Sequence, residues 1–97
     1  MRVISKTTLM EKSKKFADAK TPLQFWLEVA KQAKWNSLQD VRKMLPATDM
    51  IDKLAIFNIR GNTYRLIVRI EFASQRIYIK EFLTHAEYDK ETWTKWL

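Results

Sequence analysis

The sequence predicts an α+β fold: N-terminal helices packed on one face of a small antiparallel β-sheet, then a short C-terminal helix. Apolar residues recur at helical spacing through the first half and alternate with polar ones through the second. The chain's one glycine, Gly61, sits where two alternating runs meet. Ninety-seven residues supply one core, so a single domain is expected over 1–97. Its helical half covers 6–46, its sheet half 54–83, and a final helix with its tail 84–97.

Residues 2–5, "RVIS", suit a short opening strand. Thr8 and Glu11 have capping-box spacing, and Leu9, Phe16 and Ala17 fit one face of a helix ending near Ala19. In "TPLQ", Thr21 reads as an N-cap, Pro22 as the first helical residue and Gln24 as its capping partner. Leu23, Trp26, Leu27, Ala30 and Ala33 follow as a core stripe. Ser37 and Asp40 cap a shorter helix that turns Leu38, Val41 and Leu45 inward and stops at Pro46; residues 47–53 read as a loop.

From Leu54 the period changes to two. Gly61-Asn62 suits a two-residue hairpin, and a second turn falls near Ala73-Ser74. Pairing the strands through those turns collects Ala55, Phe57, Ile59, Tyr64, Leu66, Val68, Ile70, Ile77, Ile79 and Leu83 on one face. Glu81 alone is out of place there. The opposite face gathers Asn58, Arg60, Arg65, Arg69, Arg76, Tyr78 and Lys80, with Ile56, Ile67 and Phe82 among them.

Composition narrows the function. There is no cysteine and one histidine, which excludes disulfides and thiolate sites and argues against zinc. No segment approaches the ~20 apolar residues of a membrane span, and the N-terminus lacks the apolar run of a signal peptide, so a cytoplasmic protein is expected. A net charge of +7 suits a polyanionic partner. Four of the six arginines lie between 60 and 76, and arginine grips phosphate bidentately. Arginines with an interleaved tyrosine suit RNA, whose phosphates need cations and whose unstacked bases need a ring. The plainer reading is a solvated face of cross-strand partners, such as Arg76 opposite Glu71.

The one histidine stands in "LTHAEYDKETW". Thr84 and Glu87 form another capping box, with His85 at the first helical position and Tyr88 and Asp89 on the same side of the turn. The predicted register sets Leu83 opposite Tyr64 and Phe82 opposite Arg65, so His85 emerges at the sheet end that carries Arg65 and Asn58. The helix N-terminus also offers N–H groups to a phosphate. An imidazole, a guanidinium and a phenol around one phosphate suit RNA cleavage without a metal, by attack of a ribose 2′-OH on the adjacent phosphorus. His85 is the natural acid or base, Arg65 with Arg60 or Arg69 the phosphate holder, and Tyr88 or Tyr78 a stacking or proton-relay group. Against this, a lone histidine at a helix start is more often a surface residue.

"FNIRGNTYRLIVRI" followed by "THAEYDK" resembles the HigB-type toxins of bacterial type II toxin–antitoxin modules, a branch of the RelE/ParE superfamily. The resemblance implies a RelE-like α+β domain, cleavage of mRNA in the ribosomal A site, no cofactor, and neutralisation by a HigA-type helix-turn-helix antitoxin. It matches Asn58, Arg65, His85, Tyr88 and Asp89 to functional positions. Because the catalytic set varies across the RelE group, Lys80 and Tyr78 stay candidates, giving His85, Arg65, Tyr88 and Lys80 as catalytic and Asn58, Arg60, Arg69, Arg76 and Tyr78 as RNA-binding. Two rivals stand beside this: a ParE-like toxin of DNA gyrase that is no nuclease, and a non-catalytic nucleic-acid-binding module. Trp93 and Trp96 are expected to cover the sheet as core, or else to touch an antitoxin or the ribosome.

Overall fold

The computed structural model describes residues 1–97. Strand β1 (Arg2–Ile4) leads into helix α1 (Lys6–Lys15), a 3-10 turn (Ala17–Ala19), α2 (Lys20–Gln32) and α3 (Leu38–Met44). Then come β2 (Asp49–Ile51), β3 (Leu54–Ile59), β4 (Tyr64–Glu71), β5 (Arg76–Thr84), α4 (His85–Asp89) and a second 3-10 turn (Thr92–Trp96). The five strands form one sheet in the order β1-β5-β4-β3-β2. All neighbours are antiparallel except β1, which lies parallel to β5. This is the expected α+β architecture.

The helix starts differ from the spacing-based reading. Helix α1 begins after Ser5, with φ 73° and no side-chain cap, so Thr8 is interior. The turn Ala17–Ala19 runs straight into α2, which leaves Thr21 and Pro22 inside the first turn. Proline is tolerated there because the first N–H groups of a helix have no intrahelical acceptor. Ser37 does cap α3, accepting from the Asp40 N–H. Residues 47–53 are not all loop: β2 pairs with β3 through a two-residue turn at Asp52-Lys53, Asp52 having φ 54°. Its three residues carry too little alternation to be read as a strand.

The helices bury one sheet face. Leu9, Leu23, Trp26, Ala30 and Val41 meet Ala55, Phe57, Ile59, Leu66, Val68, Ile77 and Ile79 in the main core. The hairpin registers are those expected, with Ile59 opposite Tyr64 and Ile70 opposite Ile77. Between Ile67 and Val68, however, β5 gains a residue: Val68 pairs with Ile79 but Ile67 with Glu81, leaving Lys80 as the bulge. Beyond it the faces exchange. Phe82 joins the helix-side core opposite Leu66, and Leu83 lies opposite Arg65 on the other face. The expected pairs Leu83–Tyr64 and Phe82–Arg65 do not form. Glu81, the one misfit in the alternation, also moves to the other face, where Lys95 Nζ comes within 3.9 Å. There Leu54, Ile56, Ile67 and Leu83 form a second, smaller core closed by Trp93.

A capping box anchors α4. The Thr84 hydroxyl accepts from Glu87 N–H, and the Glu87 carboxylate accepts from Thr84 N–H at 3.0 Å. That backbone hydrogen bond is the main reason the Glu87 carboxyl titrates below its ordinary range; the Thr84 side chain, Lys12 and Lys90 act the same way, against the opposing effect of burial.

Four variants test this account. Deleting Lys80 closes the β4–β5 ladder while keeping every other pair, so the melting temperature is expected to move by less than about 8 °C. Deleting Phe82 instead takes the aromatic from the core and exchanges the remaining faces, and is expected to cost about 3 kcal/mol or more in denaturant titrations. Thr84→Ala is expected to cost about 1 kcal/mol at neutral pH. Because the folded carboxyl is depressed, the contribution of Glu87 is present above its unfolded pKa and fades as pH falls through the folded value. The gap between wild type and Glu87→Ala should therefore narrow below about pH 4, whereas Thr84→Ala, which keeps the backbone donor, should stay destabilised across that range.

Candidate active site

The β4–β5 ladder and the cap together bring His85 onto the sheet beside Arg65. His85 N–H donates to the Thr63 carbonyl at 3.0 Å, which ties the start of α4 to the turn Arg60–Thr63. That turn needs left-handed backbone at Arg60 (φ 53°) and Gly61 (φ 60°), so the glycine has a conformational reason to be there. Its Asn62 carbonyl, with that of Tyr64, accepts from Arg65 Nη1 at 3.1 and 3.2 Å. Nη2 of the same guanidinium lies 3.2 Å from His85 Nδ1 and 3.5 Å from Asn62 Oδ1.

The hydrogen bonds define the imidazole tautomer. A guanidinium only donates, so Nδ1 facing Arg65 carries the lone pair and Nε2 the proton. Nε2 lies 3.2 Å from Asp89 Oδ2, one helical turn on. Thus the half-exposed ring is held at both nitrogens, by a cation on one side and a carboxylate on the other.

Tyr88 completes the group. The Arg65 guanidinium lies 5.5 Å from the centroid of its ring, and the ring stacks on Trp93 at 5.1 Å and 3°. Trp93 Nε1 donates to the Tyr88 carbonyl at 3.1 Å and the indole is buried, so the tyrosine stands on a fixed floor. Burial, then the carboxylates of Asp49, Asp89 and Glu91, push the Tyr88 phenol above its ordinary pKa, while Arg65 opposes them. The hydroxyl is a proton donor at neutral pH.

The sequence-predicted candidates therefore divide. His85, Arg65, Tyr88 and Asp89 converge, with Asn58 paired across the strand from Arg65. Arg60 leaves the expected face, because its turn swings it to Asp18 on the helix side, 3.3 Å away. Arg76 opens β5 opposite Glu71, at the far end of the strand from His85. Tyr78 and Lys80 make a separate cluster around Trp96, with Lys80 roughly 16 Å along the strand from His85. Arg69 pairs with Glu71 at 3.5 Å. At the start of α4 the N–H groups of Thr84, His85 and Glu87 are already used within the protein. Sequence reasoning missed Asn62 and the Trp93 floor. Asn62 had a signal, as a turn residue three positions before Arg65; the parallel stacking of Trp93 had none.

The comparisons with known proteins meet this geometry. The family model of the HigB toxin, described as the RelE-like toxic component of a toxin–antitoxin system, matches residues 19–91. The mRNA interferase toxin HigB of Escherichia coli K12 is 29% identical over 92 residues, covering 92% of this chain and 88% of that protein. The mRNA interferase HigB of Shigella flexneri gives the same figures. The mRNA interferase HigB of Escherichia coli O6:H1 is 30% identical over 95 residues, 95% of this chain and 92% of its own. The matched span holds all of α2 and α3, the whole sheet except β1, and α4 with every residue of the His85 cluster except Trp93. The chain that carries this cluster belongs to the HigB toxin family, the RelE-like toxic components of toxin–antitoxin systems.

Proposed function

We propose that the protein is an mRNA interferase, an endoribonuclease that cuts mRNA in the ribosomal A site in the bacterial cytoplasm and is held in check by a HigA-type helix-turn-helix antitoxin. The observation that carries this reading is His85 fixed between Arg65 and Asp89, with the Tyr88 phenol under the same guanidinium. The relatives named as mRNA interferases support the substrate class.

The chemistry follows from the hydrogen bonds. Arg65 is oriented by two backbone carbonyls, so its guanidinium meets an incoming phosphate without first having to be ordered. When the phosphate takes over the Nη2 donor, His85 Nδ1 is left with its lone pair exposed. Nδ1 removes the proton of the ribose 2′-OH, and the 2′-oxygen forms a bond to phosphorus. The imidazolium so produced is stabilised by Asp89 at Nε2. The bond from phosphorus to the 5′-oxygen breaks, and Tyr88 gives its proton to that oxygen. The transient phenolate faces Arg65 until solvent reprotonates it. The products are a 2′,3′-cyclic phosphate and a 5′-hydroxyl, with no co-reactant. Asn58 and Arg69 extend the polar, cationic surface along the RNA path.

Primer extension on programmed ribosomes tests the assignment. Wild-type protein is expected to cut within codons only when ribosomes are present, and His85→Ala to lower the rate about 100-fold or more. Cuts that survive the substitution move the chemistry off His85, and growth arrest by a wild-type protein that cuts nothing overturns the nuclease reading in favour of a gyrase-type target. Tyr88→Phe keeps the stack on Trp93 and the contact with Arg65 but loses the hydroxyl. It is expected to lower kcat about 10-fold to 100-fold with KM little changed.

A further inference from the structure

We propose that the hollow beside Trp96 is a second RNA subsite, where the base of an unpaired nucleotide stacks on the indole while Lys80 and Arg69 hold the neighbouring phosphate. The proposal rests on the mRNA reading above and adds to it a place for the strand away from the scissile bond.

Four features point to this use. First, Trp26, Trp35 and Trp93 are buried, whereas Trp96 is 41% exposed. An indole this exposed does not cover the core, and only flexible lysine side chains would have to move for a base to stack on it. Second, cations crowd that ring: Lys80 Nζ lies 5.2 Å and Lys95 Nζ 5.4 Å from its centroid, and Lys80 also reaches the Tyr78 ring at 5.9 Å. Lys95 has Glu81 as a partner and Arg69 has Glu71, but Lys80 and Lys53 make no ion pair. Third, a cavity of about 280 Å³ opens beside the indole, lined by Asp52, Lys53, Arg69, Trp96 and Leu97. Its cations suit phosphate, and the Asp52 carboxylate supplies an acceptor for the amino edge of a base. Fourth, Arg69 and Arg65 lie on the same sheet face, roughly 13 Å apart along β4, so one extended strand of RNA can meet both. An aromatic platform flanked by cations binds single-stranded nucleic acid with little regard to sequence.

The bulge gives Lys80 a reason to exist. Lys80 has no partner of its own in the β4–β5 ladder, and its ammonium lies against both Tyr78 and Trp96. Bulges that re-aim a side chain are frequent next to functional sites.

The test is titration of the full-length protein with a single-stranded 2′-O-methyl oligoribonucleotide, which has no 2′-OH to attack, at several salt concentrations. Tryptophan fluorescence serves as readout, since the other three indoles are buried. Binding is expected to quench wild-type fluorescence. Trp96→Leu is expected to weaken affinity about 10-fold and abolish the quench. Lys80→Gln is expected to weaken affinity and reduce the slope of log affinity against log salt by about 1. Both variants are expected to keep the wild-type kcat on ribosome-bound mRNA, with KM raised. Folded variants that bind as tightly as wild type overturn the subsite and leave the nuclease reading standing. Should Trp96→Leu not fold, Lys80→Gln and the wild-type quench decide, and binding without a quench overturns the proposal. A wild-type protein that neither binds the oligonucleotide nor cuts mRNA overturns both.

Discussion

One extra residue in β5 governs what both faces of the sheet can do. Through Ile79 the strand turns its odd-numbered residues toward the helices, and after Lys80 its even-numbered ones. Phe82 thereby reaches Phe16 and Tyr64 in the main core, and Leu83 closes a second core with Leu54, Ile56, Ile67 and Trp93. In a strand paired regularly from the same hairpin turn, Leu83 would face the helices and Phe82 would stand beside Arg65. The shifted ladder places Leu83 beside Arg65 instead, and the chain then leaves the sheet with His85 directed at that guanidinium.

The site inherits its rigidity from backbone groups more than from side-chain pairs. The Asn62 and Tyr64 carbonyls orient Arg65, the Thr63 carbonyl holds His85 N–H, and the Tyr88 carbonyl is held by Trp93. The contact between His85 and Asp89 is exposed, and such contacts contribute little stability. What Asp89 contributes is the orientation of the ring. Arg65 is therefore held by two backbone carbonyls, whereas the His85 ring is held only by side chains that can exchange partners.

Much of this was legible in the chain, for definite reasons. The stripe of Leu23, Trp26 and Ala30 and the alternation around Gly61 report burial directly, so the helices, the sheet and both hairpin registers could be read. Thr84 and Glu87 announce their helix because a capping box is a local device with a local signature. The bulge was present only as a symptom: Glu81 broke the alternation, and a single violated position does not say on which side the extra residue lies. Arg60 was misplaced because strand parity stops applying in a turn with two left-handed residues. Lys80 and Tyr78 were drawn toward the catalytic group by type, and separated from it by distance along β5, which composition does not encode. The fold and the core of the site thus followed from periodicity and caps, while the floor under Tyr88 needed three dimensions.

Strand β1 has a consequence for the order of events in making the protein. Arg2–Ile4 can pair only with Arg76–Tyr78, at the opposite end of the chain, and this contact lies parallel at the edge of the sheet. Ribosomes deliver residues from the N-terminus, so the helices exist as a loosely tethered group until β5 has emerged, and long-range pairing of this kind is slow to close. Every residue of the His85 cluster lies at or beyond the β4 turn. A partly synthesised chain accordingly lacks the assembled cluster until β5 and α4 have both emerged.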